Sequence, residues 1–322
     1  MDKFLISDWQ LKEKRALRDA FGEALVEVAK KEKKVIALTA DLETSTRLEL
    51  FHQTFPERFF QVGVAEQNLI GISAGLAMQG FIPFACSFAT FITGRAWEQI
   101  KICVAANNLP VKIVGSHAGL SHPSDGFTAQ ATEDLALMQV LPNIKVVYPA
   151  DFNQTKILIE KITNCNTPIY LRITREPTEV FIKRNSSFTI GEAQILKEGS
   201  TATIVSAGPL LAEILKAAAA LEKFKIKLEV INLHTIKPLD EKTIIRSLSK
   251  TKKLIVVEDH QLFGGLASSI FSSLKNLNFM YKCMSLGIND QFGATAGTYI
   301  ELLKKFSLDS NSLIKKIKNF VG

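Results

Sequence analysis

Residues 59–78 read FFQVGVAEQNLIGISAGLAM. The first six are an apolar and aromatic run of strand length. From Glu66 onward small and apolar residues follow at helical spacing, so the predicted unit is a strand feeding directly into a helix. No charge occurs between Glu66 and Arg95, a length that could cross a bilayer. Gln67, Asn68, Gln79, Gly80 and Pro83 interrupt it. It therefore reads as a buried small-residue helix, a turn and a short strand.

Working outward, the same alternation of apolar runs and helical patterns fills the chain, as expected of α/β domains built on parallel sheets. Toward the amino terminus, 16–31 has helical spacing and 35–38 (VIAL) is a buried strand. Toward the carboxyl end come a strand at 81–87, a helix over about 93–106 and a strand at 111–116. The segment 117–132 is polar, has no apolar period and reads as a long loop, a feature usually tied to function. A strand VVY, a helix at 152–163 and a strand at 169–173 complete the front domain. Residues 174–199 form a charged, weakly periodic connector. A second α/β unit then runs from the strand TATIVSAG to closing helices at about 298–306 and 309–320.

The chain has 322 residues, 47% of them hydrophobic and 22% charged. That balance is ordinary for a soluble globular protein and fits two domains. Lys plus Arg number 39 against 32 Asp plus Glu, and the excess lies in the back part as scattered lysines. Nucleic-acid binding wants clustered basic residues with interleaved aromatics, so none is expected. Cys86, Cys103, Cys165 and Cys283 are far apart, without a C-x-x-C or a His pair. This suits neither zinc nor a disulfide framework and fits a reducing cytoplasm. The start, MDKFLISDWQLKEKR, carries charge from its second residue, unlike a signal peptide.

No G-x-G-x-x-G, G-x-x-x-x-G-K-[ST] or H-E-x-x-H occurs, which argues against a dinucleotide-binding, P-loop or zincin enzyme. Gly71-Ile-Ser73-Ala-Gly75 matches a nucleophile elbow formally, but Ser73 falls within a helix rather than after a strand. The small residues at 71, 74, 75 and 77 are better read as close packing. Glu66 fits two readings: an acid favoured by a helix amino terminus, or a partly desolvated carboxylate suited to proton exchange. Arg18, Asp41 with Ser45, His117, Asp125 and Arg175 all fall at or beyond strand ends or at a helix start, where open α/β sheets place ligands. Two Arg, a Ser and a His suit a phosphate or a polyhydroxylated anion.

In order, ALRDAFGEAL, ADLETST, RFFQVGVAEQN, GISAGLAMQGFIPFACSFATF, GRAWEQIK, VKIVGSHAGL, SDG, LPNIKVVYPAD and YLRITR resemble the second half of transketolase. The likeness continues more loosely through INLHTIKPLD and VVEDHQLFGGL. It implies a thiamine-diphosphate-type pyrimidine-binding α/β domain (10–178), a linker (179–198) and a smaller transketolase carboxy-terminal α/β domain (199–322). The family's Gly-Asp-Gly and Asn, which hold the diphosphate and Mg²⁺, have no counterpart here, since Asp125-Gly126 follows Ser124. The resemblance thus implies one subunit of a split enzyme, paired with an amino-terminal transketolase subunit in an α2β2 assembly.

By the same resemblance Glu66 bonds the aminopyrimidine nitrogen of thiamine diphosphate. Phe88 and Phe91 line the pyrimidine pocket, with Phe88 the stacking residue, and Asp41 and Leu42 approach the cofactor. Arg18, Ser45 and Arg175 grip the sugar phosphate, while His117 and Asp125 bond donor hydroxyls. One departure stands out: Ala129 occupies the place of a His or Gln expected to meet the donor's first hydroxyl, and His122 is an unusual neighbour. The implied activity is ketol transfer from a ketose phosphate to an aldose. The rivals are the β subunit of a 2-oxoacid dehydrogenase, which needs no phosphate grip, and a noncatalytic partner-binding paralogue, for which an apolar residue at 66 would have argued.

Overall fold

The computed structural model describes residues 3–11 and 13–322. Met1, Asp2 and Lys12, part of the start read above for its charge, lie outside them. In the front domain the order is β1 (Lys14–Arg15), α1 (Leu17–Lys31), β2 (Val35–Thr39), α2 (Glu49–Thr54), β3 (Phe59–Gln61), α3 (Glu66–Met78), β4 (Ile82–Phe88), α4 (Ala89–Arg95) and α5 (Trp97–Gln99). A π-helical turn (Ile100–Ala105) leads to β5 (Lys112–Ser116), α6 (Asp134–Gln139), β6 (Lys145–Val147), α7 (Phe152–Thr163), β7 (Ile169–Arg172) and β8 (Thr178–Glu179). The second part has β9 (Gln194–Lys197), β10 (Ala202–Ser206), α8 (Leu211–Leu221), β11 (Leu228–Asn232), β12 (Thr235–Lys237), α9 (Glu241–Thr251), β13 (Lys253–Gln261), α10 (Leu266–Ser273), β14 (Lys282–Ile288), α11 (Tyr299–Lys305) and α12 (Ser310–Val321).

The front sheet has the order β12-β6-β7-β5-β4-β2-β3, parallel throughout except for β12. Every residue of β2, β5 and β7 is buried, as expected when helices cover both faces of a parallel sheet. The second sheet, β14-β13-β10-β11-β9, is parallel except for its edge strand β9. Residues 179–198, read as a linker, therefore hold Gln194–Lys197 as that edge strand. A further departure is β12: three residues from the second part return to the front sheet and pair with β6. Tyr148 N–H donates to the His234 carbonyl beside this crossing, at 2.9 Å.

The helix expected over 93–106 begins earlier, at Ala89, and breaks at Ala96 before α5 and the π turn. Ser73 lies inside α3, fully buried, with its Oγ donating to the Leu69 carbonyl at 2.7 Å, so it is a packing residue. Ala74 and Ala77 are buried as expected of close packing. Gly71 and Gly75 instead face open space. Among the described residues no helix is long and apolar enough to cross a membrane. The charge-free stretch from 66 to 95 is α3, β4 and α4.

Candidate active site along one edge of the front sheet

Because β2, β3, β4, β5 and β7 are parallel, their carboxyl ends share one edge of the sheet. That edge collects Asp41 after β2, Glu66 after β3, Phe88 at the end of β4, His117 after β5 and Arg175 after β7. At about 4.8 Å per strand the four steps from β7 to β3 span roughly 19 Å, room for an extended ligand.

At the β3 end, Glu66 is the first residue of α3 and only 4% exposed. The unpaired N–H groups of a first helical turn favour a carboxylate there. Its Oε1 accepts from Arg95 Nη1 at 3.1 Å, while its Oε2 has no partner among the described residues. The Arg95 guanidinium, at the last turn of α4, also lies over the Phe91 ring at 4.2 Å. Phe88 and Phe91 are stacked at 5.5 Å. Phe88 spends a face on His117, at 3.9 Å, and is nearly closed to solvent. The half-buried Phe91 is therefore the more accessible ring, contrary to the expectation that placed stacking on Phe88.

At the β7 end, Arg18 sits in the first turn of α1, where a cation opposes the helix dipole and an anionic ligand would relieve it. Its Nη1 donates to the Ser45 carbonyl at 3.1 Å, and its buried Nε has no partner among the described residues. Burial, then the neighbouring Arg47, lowers its pKa below the ordinary arginine value. Arg47 is held by Asp19 at 2.7 Å, and Arg175 by Glu176 at 2.5 Å. The loop of Ser45 and Arg47 packs hard on α1 at Gly22, where a Cβ would lie 2.4 Å from the Arg47 carbonyl oxygen. Toward the opposite end, beyond β2 and β3, Asp41, Leu42 and Ser45, with Gln61, line a cavity of about 270 Å³. Gln61 Oε1 accepts from the Asp41 N–H at 2.6 Å.

Between these ends lies His117, buried, with Nδ1 2.9 Å from Ser116 Oγ. Burial first, then His122 and the cations Arg18, Arg175 and Arg47, push its pKa down to about 2. It is a neutral hydrogen-bonding ring and adds no charge to an anion grip. Asp125 is half exposed and pairs with His122 Nε2 at 3.0 Å. Asp41, Arg47 and His117 all have left-handed backbone, with φ of 61°, 62° and 60°. Each such residue costs about 1–3 kcal/mol, and such strain gathers at functional sites.

The edge thus gathers Arg18, Asp41, Leu42, Ser45, Glu66, Phe88, Phe91, His117, Asp125 and Arg175. Sequence reasoning missed Arg95 and Arg47. Arg95 is 29 residues from Glu66 and carries no local signal of that pairing, whereas Arg47, two residues beyond Ser45, could have been found by asking what else the same loop presents. Among the described residues no group of three or more His, Cys, Asp or Glu is placed to hold a metal ion.

Residues 13–179 match the transketolase pyrimidine-binding domain, and residues 191–313 match the transketolase C-terminal domain. The 6-deoxy-6-sulfo-D-fructose transketolase subunit SqwH of Clostridium sp. (strain MSTE9) is 36% identical, over 94% of this chain and 94% of its own length. An apulose-4-phosphate transketolase subunit of Phocaeicola vulgatus is 31% identical, over 95% and 97%. A solved structure described as a split gene transketolase, inactive beta4 tetramer, superimposes with a TM-score of 0.87 at 38% identity, covering 95% of this chain and 98% of that one. With both domains matched in order and relatives aligned end to end, the chain belongs to the transketolase family, as a C-terminal subunit of the split form.

Proposed function

We propose that this chain, joined to an amino-terminal transketolase subunit, transfers a two-carbon ketol unit from a ketose bearing an anionic end group to an aldose, with thiamine diphosphate as cofactor. The observation that carries this reading is Glu66: a buried carboxylate at a helix head, one oxygen free, with the half-buried Phe91 ring nearby. An aminopyrimidine needs an aromatic wall and a carboxylate at its ring nitrogen, and these residues fit both. They do not fit the diphosphate and Mg²⁺, for which no acidic cluster is available among the described residues, so those ligands are assigned to the partner.

Thiamine diphosphate, when bound, supplies the nucleophilic carbon that carries the two-carbon unit. Glu66 holds a proton at the pyrimidine nitrogen. Phe91, backed by Phe88, orients the ring, and Asp41 and Leu42 approach the cofactor from the end of β2. Arg18, Ser45 and Arg175 take the anionic end of the sugar, with Arg47 adding field. The neutral His117 serves as a hydrogen-bonding group for a sugar hydroxyl. The two relatives named for a sulfonated and a phosphorylated sugar support a terminal tetrahedral anion as the donor's mark.

Partner binding is supported by apolar exposure around α3. Val64, Met78 and Ile102 are 71%, 72% and 53% exposed, and the π turn that carries Ile102 packs on α3. The assembly proposed is α2β2, in the cytoplasm. The test is Glu66→Gln in the assembled enzyme. Turnover is expected to fall at least about a hundredfold while cofactor remains bound at high concentration. Unchanged turnover would refute the role of Glu66.

A further inference from the structure

Inside the site, His122 and Asp125 form a pair separate from Glu66, the arginines and His117. Asp125 Oδ2 lies 3.0 Å from His122 Nε2, and Asp125 Oδ1 accepts from Ser124 Oγ at 3.1 Å. A carboxylate only accepts, so the proton of the ring sits on Nε2. Burial, opposed by Asp125, lowers the His122 pKa below its ordinary value, which keeps the ring neutral and leaves a lone pair on Nδ1. That Nδ1 is buried and has no partner among the described residues, a costly state for an acceptor unless a ligand or water completes it.

The ring is held in place from several sides. It meets Phe88 edge-on at 5.7 Å and lies 4.9 Å from His117. Gln130 Nε2 donates to the His122 carbonyl at 3.1 Å, and the same amide donates to and accepts from Ala294 of the second part. The adjacent Pro123 carbonyl accepts from Ala296 N–H at 3.0 Å. Ala129, where a hydrogen-bonding side chain was expected, offers a buried methyl group.

We infer that His122 Nδ1 accepts a hydroxyl of the bound ketose, with Asp125 acting behind it as a positioning residue. This rests on the ketol-transfer reading, and it changes the role of Asp125 from direct sugar contact to support of the ring. Loss of hydroxyl recognition at Ala129 is thereby made good from the other side of the same loop.

The experiment uses the assembled, cofactor-loaded enzyme with β-hydroxypyruvate and D-fructose 6-phosphate as probe donors. The first has a hydroxyl and no phosphate, which separates His122 from the arginines. In H122A, kcat/KM is expected to fall at least about tenfold with thiamine diphosphate affinity unchanged. D125A should do the same, and the double variant should be no worse than H122A, because paired residues act as a unit. Wild-type activity that survives H122A overturns the assignment, and additive losses overturn the pairing. Inactivity of the wild type on both donors would overturn the functional reading instead. Should H122A fail to fold, ¹⁵N NMR of the wild-type histidines decides: a His122 ring protonated on Nδ1 overturns the inference, and one protonated only on Nε2 sustains it.

Discussion

Two ionic clusters in this molecule use the same chemistry in opposite ways. Arg172, on β7, is fully buried at the junction of the two sheets. Its Nε donates to Asp134 at 2.8 Å, its Nη1 to Asp259 at 2.7 Å, and its Nη2 to the Ala131 and Asp259 carbonyls at 3.3 Å. Tyr170 and Tyr148 hydroxyls add bonds to the same carboxylates at 2.7 and 3.1 Å. Glu66 is almost as buried, yet its only partner among the described residues, Arg95, has a side chain 53% exposed. A charge taken fully out of water needs partners within the fold: Arg172 commits all three guanidinium nitrogens, though Asp134 Oδ1 is left without a hydrogen bond among the described residues. A buried carboxylate with a free oxygen and a partner that can swing into water is available. The first cluster holds the two parts of the chain together; the second is where chemistry can happen.

The greatest loss of stability is expected at Arg172. Arg172→Met would leave Asp134 and Asp259 without their cation and the Ala131 carbonyl with only the Gly119 N–H, at 2.8 Å, as its donor among the described residues. Removing one member of a buried pair costs about 3–5 kcal/mol, read as a large fall in the urea midpoint. A variant as stable as the wild type would show that the knot is not structural.

Histidines sharpen the contrast through pH. Burial lowers the pKa of His234, beside the strand crossing, to about 3, and that of His117 to about 2. Both folded rings bind a proton less readily than the unfolded chain, whose histidines titrate near 6.5. Below that pH the unfolded state takes up protons that the folded state refuses. Stability held in these neutral rings is thus complete above about pH 6.5 and lost as pH falls toward 3 and 2, by up to about 1.4 kcal/mol per pH unit for each ring. Asp151, raised by burial to about 6, contributes with the opposite sign, so the useful quantity is a difference. Relative to wild type, His234→Gln should gain stability steadily between pH 6 and 4 in urea titrations. A pH-independent difference would show that the ring protonates freely in the folded state.

The α/β class and most of the site edge were legible because they rest on local patterns. Buried parallel strands are continuous apolar runs, and residues just beyond them share an edge once the strands are parallel, which is how Glu66, His117 and Arg175 could be named together. What escaped notice was set by distant partners. Thr235–Lys237 is too short to show a period, and only its pairing with Lys145–Val147 makes it a strand. Gln194–Lys197 was hidden in a charged connector for the same reason. The family resemblance points to Phe88 for stacking, and the sequence around it says nothing of His117, which lies against its ring from the end of another strand. His122 drew attention as a departure in the loop, but its unpartnered Nδ1 emerged only with the three-dimensional arrangement.

Arg95, the exposed partner of Glu66, should matter least to stability. The Glu66–Arg95 pair is half exposed, and exposed pairs contribute at most about 1 kcal/mol. Arg95→Ala should therefore move the unfolding midpoint little, in contrast to Arg172→Met. The same guanidinium occupies Glu66 Oε1 and covers Phe91, the two features a pyrimidine ring would use. If Arg95 must withdraw for the ring to enter, its removal takes away a competitor, and thiamine diphosphate should bind the assembled R95A enzyme more tightly, by up to about fivefold for that 1 kcal/mol. Calorimetric titration of wild type and variant reads the difference. Weaker binding in R95A would mean that Arg95 itself contacts the cofactor, and the pair would then belong with Arg172 as a fixed element of the fold rather than a contact that opens.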